Sequence, residues 1–142
     1  MADASLGILL FVAHRELERR VFEEVRAAGF EATMSQARIF QRIDEQGSRV
    51  TKLAESAGVT KQTAGYLVDQ LEELGYVERV PDPDDARARL VRVTDRGRRA
   101  VEVARPVEEQ VYAEWAAHLG GADLQRLREI LTRLREVTDP YA

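Results

Sequence analysis

The chain has 142 residues, 44% hydrophobic and 32% charged, a size and balance that suit one folded domain rather than a disordered segment. It has no cysteine and only two histidines, His14 and His118. That excludes disulfides, thiolate metal sites, cysteine nucleophiles and thiol-based peroxide sensing, and leaves too little imidazole for a zinc centre. The formal net charge of −4 argues against a uniformly basic nucleic-acid binder, so the placement of charge matters more than its sum.

The start MADASLGILLFVAHRE lacks the basic leader of a signal peptide, and no apolar run is long enough to span a membrane, so a cytoplasmic protein without membrane partners is expected. Leu6, Leu10, Ala13, Leu17, Val21, Val25 and Ala28 recur at three- and four-residue steps and predict a helix from Leu6 to Ala28, with Ser5 as cap. Ile8, Phe11, Val12 and Phe22 widen its apolar surface beyond one stripe, which points to packing on a second chain. Gly29 stops this helix, and Thr33 caps the next, Met34 to Asp44, with Ala37, Phe40 and Ile43 facing inward.

Ser48-Arg49-Val50 reads as a short extended piece. Thr51 is then expected to cap a two-turn helix containing Leu53, Ala54 and Ala57. Gly58 turns the chain and Thr60 caps a second helix with Ala64, Leu67, Val68, Leu71 and Leu74 inward. Two short helices joined by a glycine turn form a helix-turn-helix, in which the second helix can enter the DNA major groove by its N-terminal end. The residues placed there are Thr60, Lys61, Gln62, Thr63 and Tyr66, all carrying polar groups that suit a groove better than a core. Gly65, inside the same helix, costs about 1 kcal/mol against Ala; close approach to a DNA backbone would justify it, as would a packing contact.

Tyr76 to Val80 alternates as a strand, Asp82-Pro83-Asp84-Asp85 is a turn, and Arg89 to Val93 returns as a second strand. Residues 47–100 carry ten Lys/Arg against nine Asp/Glu, whereas the two flanking segments are both acidic. Thr94 caps a long helical segment in which Val101, Ala104, Val107, Val111, Trp115 and His118 or Leu119 share a face, with Pro106 predicted to kink or split it. Gly120-Gly121 ends that segment, and Asp123 to Thr138 forms a last helix with Leu124, Leu127, Leu131, Leu134 and Val137 on one side. The expected fold is therefore mainly α with a small β-hairpin wing.

The stretch DPDDARARLVRVTDRG, residues 82–97, resembles the wing signature of the MarR family of bacterial transcription regulators, through Asp85, Arg87, Val91, Val93, Thr94 and Gly97. LAESAGVTKQTAGYLVDQLEELGYVERV resembles that family's helix-turn-helix, and the likeness extends over essentially the whole chain. It implies one MarR-type domain over 1–142, with a winged helix-turn-helix at 30–100 and dimerisation helices at 5–28 and 101–142. It further implies a cofactor-free homodimer on a pseudo-palindromic double-stranded operator, acting as a repressor released by a small, often aromatic, effector.

By position, Arg87 would be the minor-groove arginine and Asp85 the carboxylate that pairs with it. Arg89, Arg92, Lys52 and Arg49 would add phosphate contacts. Gln62 could pair with adenine and Thr63 touch a thymine methyl. The chain departs from the family at Gly65, where a basic residue is common. Effector contacts fall by position on Phe11, His14, Met34, Arg38 and Trp115. Each also has an ordinary reading: Phe11 and Trp115 as dimer core, Met34 as filler, His14 as a satisfied imidazole, Arg38 in an ion pair.

Other functions fit less well. Asp82, Asp84 and Asp85 lack the spacing and late glutamate of a calcium loop, so no metal site is expected. No nucleophile triad or glycine-rich phosphate loop is present, so an enzyme is not expected. A winged helix used for protein contact without DNA is the alternative to a DNA reader.

Overall fold

The computed structural model describes residues 3–141. Its elements run α1 (Leu6–Ala27), α2 (Met34–Phe40), α3 (Val50–Ala57), α4 (Lys61–Glu73), β1 (Val77–Asp82), β2 (Asp85–Val93), α5 (Asp95–Leu119) and α6 (Gly121–Thr138). They divide into two compact units, one of residues 1–31 with 100–124 and one of residues 32–99 with 125–142. Among the described residues no helix is long and apolar enough to cross a membrane.

In the first unit, Ser5 caps α1 as its sequence predicts, its hydroxyl accepting from the Ile8 backbone N–H at 3.4 Å. Val111 of α5 is fully buried, and Arg20 of α1 forms a two-pronged ion pair with Glu114 of α5. Pro106 removes one helical hydrogen bond but does not split the segment, since α5 continues through it for 25 residues. Leu6, Ile8, Leu9, Phe11 and Val12 at the start of α1 remain exposed.

The second unit holds the larger core. Leu53 and Ala54 of α3, Ala64, Leu67, Val68 and Leu71 of α4, and Ile39 of α2 are buried together with Tyr76, Val77 and Val91. Full burial of a leucine such as Leu53 or Leu71 contributes about 1.5–3 kcal/mol. Gly58, at φ 69°, supplies the left-handed turn between α3 and α4 that a side chain would disfavour.

Several boundaries differ from expectation. α2 stops at Phe40 rather than Asp44, because Arg42 and Ile43 bond three residues back to Ile39 and Phe40 in tight turns and Ser48 Oγ takes the Asp44 N–H. Its enclosed residues are Gln36 and Ile39, while Ala37, Phe40 and Ile43 are only half-buried. α3 starts at Val50 with Arg49 in the cap position and no side-chain cap, so Thr51 lies inside the helix. Ser48 exchanges two backbone hydrogen bonds with Val91, at 2.9 and 2.8 Å, which holds the start of α3 against the wing. α6 begins at Gly121, since Gly120 alone, at φ 93°, makes the break.

The wing is longer than predicted. β1 and β2 pair antiparallel from Val77↔Val93 out to Asp82↔Asp85, with an irregularity between Pro81 and Asp82, leaving only Pro83 and Asp84 as the tip. Thr94 closes its base: its hydroxyl donates to the Gly75 carbonyl at 2.6 Å and accepts from the Gly97 N–H at 3.2 Å. Gly97 is required by space. A Cβ there would lie 2.4 Å from the Tyr76 carbonyl oxygen and 2.7 Å from Val93 Cγ1.

Candidate nucleic-acid interface

The N-terminal turn of α4 presents a polar face. Thr60 caps the helix by accepting the Thr63 N–H at 3.1 Å, which fixes the first turn. Lys61, Gln62, Thr63 and Tyr66 are exposed, while the opposite side of α4 is buried in the core. An added Cβ at Gly65 would meet nothing within 4 Å, so no intramolecular packing contact requires glycine there.

Beside this face the arginines of the hairpin are sorted by their partners. Arg79 spans from β1 to α4, 2.7 Å from Asp69 and 3.1 Å from Glu72. Arg92 pairs across the strands with Glu78 at 2.6 Å. Arg89 donates to the Arg79 carbonyl at 3.3 Å. Arg49 forks onto Asp82, with Nε at 2.9 Å and a terminal nitrogen at 2.8 Å, and lies 3.6 Å from Asp85. Arg87 differs: it is exposed, and among the described residues its guanidinium has no ionic or hydrogen-bonded partner.

The two wing aspartates divide the work. Asp82 is buried and accepts the Asp84 N–H at 2.9 Å as well as the Arg49 fork. The Asp84 N–H and then the Arg49 guanidinium hold its carboxyl below the usual aspartate range. It therefore shapes the tip and ties it to the start of α3. Asp85 accepts the backbone N–H of Arg87 at 3.0 Å, not its guanidinium as the resemblance implied. A carboxylate two residues back reaches a backbone N–H more readily than an outward-pointing side chain. This fixes the backbone at Arg87 and leaves its guanidinium exposed.

Lys52, expected on phosphate, lies within the chain's own contacts. Its ammonium is 2.6 Å from Asp44 and 5.0 Å from the centre of the Tyr141 ring. That Lys52 contact is the main cause lowering the Asp44 carboxyl below its usual range. Tyr141 in turn donates its hydroxyl to Glu55 of α3. Asp139 accepts from the Tyr141 N–H and from Arg135, each at 2.9 Å, and from Arg42 at 3.2 Å. The C-terminal residues thus fasten onto the helix-turn-helix, a role their sequence did not announce.

The residues expected around an effector fall in both units. In the first, Phe11 is exposed with Arg15 over its ring at 5.7 Å. His14 Nε2 lies 3.5 Å from the buried Glu18 carboxylate, and Trp115 is half-buried with its ring 6.0 Å from that of Tyr112. In the second, Met34 opens α2 half-buried and Arg38 is exposed in its last turn. A cleft of about 330 Å³ in the first unit is lined by Arg19, Arg20, Glu23, Glu24, Pro106, Val107 and Gln110, none of them an expected effector contact.

Of the features missed from sequence, Asp82 was the most legible, since an Asx residue two before a backbone N–H commonly accepts it. The Arg79 and Arg49 pairs join elements distant in sequence, and no local signal marks them.

Comparison with known proteins agrees with this geometry. Residues 30–88 match the family model described as MarR family. An HTH-type transcriptional regulator of Bacillus subtilis, YdgJ, is 35% identical over 81 residues, 57% of this chain, and the match spans about half of that protein, 46% of its length. A crystal structure of MarR superposes with TM-score 0.75 at 26% identity, covering 95% of this chain and 98% of that one. CouR from Rhodococcus jostii RHA1, solved with p-coumaroyl-CoA bound, shares the fold at TM-score 0.72 and 22% identity, covering 98% and 97% of the two chains. The relatives are transcriptional regulators, a non-enzymatic family. With a helix-turn-helix, a two-stranded wing and flanking helices, the chain is similar to winged helix-turn-helix transcriptional regulators of the MarR family, and residues 30–88 carry the family match.

Proposed function

We propose that this chain binds double-stranded DNA sequence-specifically as a homodimer, reading a pseudo-palindromic operator and repressing until a small, often aromatic, ligand releases it. The observation that carries the reading is the sorting of the arginines on and beside the wing. Arg49, Arg79, Arg89 and Arg92 have intramolecular partners, whereas Arg87, on a backbone held by Asp85, has none among the described residues. An exposed arginine beside a braced hairpin tip suits a narrow minor groove, where negative potential is concentrated.

In this reading Thr60, Lys61, Gln62, Thr63 and Tyr66 enter the major groove, with Gln62 the candidate base reader. Arg87 takes the minor groove, Asp85 positions it, and Arg89 and Lys52 lie toward phosphates after exchanging their present partners. Residues 30–100 form the DNA-binding part. Residues 5–28 and 101–142 supply the dimer, a role supported by the apolar side chains that α1 and α6 leave exposed in one chain. The effector reading rests on position, through Phe11, His14, Met34, Arg38 and Trp115, and on CouR, which was solved with p-coumaroyl-CoA.

Selection of bound duplexes from random DNA tests this. The expected product is an inverted repeat with half-site centres about 10 base pairs, roughly 34 Å, apart or a multiple of that. Substituting Gln62→Ala should relax one base position in each half. Recovery of no duplex would refute the DNA reading and leave the winged helix as a protein-binding module.

A further inference from the structure

A chain of hydrogen bonds runs from the start of α2 to the exposed face of α4. Gln36 is buried, and its side-chain oxygen Oε1 accepts the Thr33 backbone N–H at 2.9 Å. Its Nε2 lies 3.0 Å from Gln70 Oε1, and Gln70 Nε2 lies 3.0 Å from the Tyr66 hydroxyl oxygen. Amide groups can be turned either way, but here one end is fixed. A backbone N–H can only donate, so the Gln36 atom facing Thr33 must be the oxygen. Gln36 therefore presents N–H to Gln70, which must answer with its oxygen. Gln70 is left with N–H toward Tyr66, whose oxygen must accept.

The consequence falls on the Tyr66 proton. With its oxygen engaged by Gln70, the hydroxyl hydrogen is left to donate elsewhere, and among the described residues it has no acceptor. Tyr66 is 61% exposed and lies one helical turn from Gln62 and Thr63. We propose that Gln36 and Gln70 are positioning residues that hold the Tyr66 hydroxyl as a hydrogen-bond donor aimed at an acceptor on DNA. That acceptor is a phosphate oxygen or a base-edge N7, O6 or O4, all of which take a proton and offer none. This rests on the DNA-binding reading above. It adds a fixed polarity to one contact: position 66 favours acceptors and disfavours the exocyclic amino groups of adenine and cytosine.

The test uses the full-length protein and two duplexes, one recovered by selection with the parent protein and one unrelated sequence of equal length. Tyr66→Phe should weaken binding to the selected duplex roughly tenfold, the loss of one hydrogen bond to DNA. Gln70→Met, which keeps length and helix propensity, should cost a smaller factor, roughly threefold. The decisive variant is the double one. If Gln70 acts through the Tyr66 hydroxyl, Y66F/Q70M binds no more weakly than Y66F.

Losses that multiply in the double variant would overturn the positioning role, and a Y66F protein as tight as the parent would overturn the contact itself. Equal loss on both duplexes assigns a phosphate acceptor, and loss confined to the selected duplex assigns a base edge. Thermal melts of all variants guard against unfolding. A parent that recovers no duplex fails at the earlier step, which separates failure of the DNA reading from failure of this inference.

Discussion

Replacing Gly97 with alanine is the most direct perturbation of the junction between wing and α5. The new Cβ would sit 2.4 Å from the Tyr76 carbonyl oxygen, 2.7 Å from Val93 Cγ1 and 3.1 Å from Phe40 Cε2. The nearest atom is backbone and cannot rotate away. That carbonyl also accepts the Thr94 N–H at 3.0 Å, while Thr94 caps Gly97 and donates to Gly75, so a shift disturbs the whole base of the wing. Overpacking a buried site usually costs about 1–3 kcal/mol, and a backbone clash belongs at the upper end, ~3 kcal/mol. For a chain of this length that corresponds to a Tm drop on the order of 10 °C.

Gly65→Ala is the matched control, because its Cβ meets nothing within 4 Å and it gains up to about 1 kcal/mol of helix propensity. Both should be melted at one fixed protein concentration, since dimerisation couples to Tm. A Gly97→Ala protein melting within about 2 °C of the parent would refute the claim that this glycine is required by space. Gly65→Ala carries a second reading: it should be more stable and yet bind DNA more weakly if glycine permits close approach of the backbone.

Acid stability provides a different check. Asp139 is held down to about 2, chiefly by the Tyr141 N–H, then by Arg135 and Arg42. A folded value below the unfolded one adds stability that is present above about pH 4 and lost as pH falls toward 2. Asp139→Asn should therefore flatten the fall of the urea midpoint across that window, and parallel profiles for parent and variant would count against the C-terminal anchor. Arg87→Ala should weaken operator binding roughly tenfold or more while leaving Tm unchanged, because its side chain has no intramolecular partner among the described residues. Equal affinity for parent and variant, measured by anisotropy, would remove Arg87 from the interface.

Sequence reading located the elements where short-range physics decides them. Ser5, Thr33 and Thr60 cap helices, Gly58 turns the chain, and the three- and four-residue apolar steps of α4 predict its buried face at Ala64, Leu67, Val68 and Leu71, whereas Leu74, expected inward, is exposed at the helix end. It failed where a tertiary contact overrides a local signal. Thr51 looks like a cap, yet the cap of α3 is Arg49, two residues earlier, because Ser48 and Arg49 are held by Val91 and Asp82 of the wing. The periodicity of α2 continues to Ile43, but Ser48 Oγ captures the Asp44 N–H and the helix closes in turns.

The site follows the same division. Which residues face outward on α4 was legible from their polarity. Which arginine of the wing lacks a partner among the described residues was not, because the partners of Arg49, Arg79 and Arg92 lie 33, up to 10, and 14 positions away. The Gln36–Gln70–Tyr66 chain spans 34 positions at its longest step and leaves no mark in any local pattern.

In the proposed DNA-binding mode, an acidic protein concentrates its available cations on DNA phosphates and one groove. A salt titration of binding to the selected duplex tests it most directly. Neutralising several phosphates releases their counterions, so affinity should fall by at least about 100-fold between 50 and 200 mM monovalent salt. An affinity that changes by less than about threefold over the same range would contradict the account, since counterion release of that size leaves room for no more than about one phosphate contact.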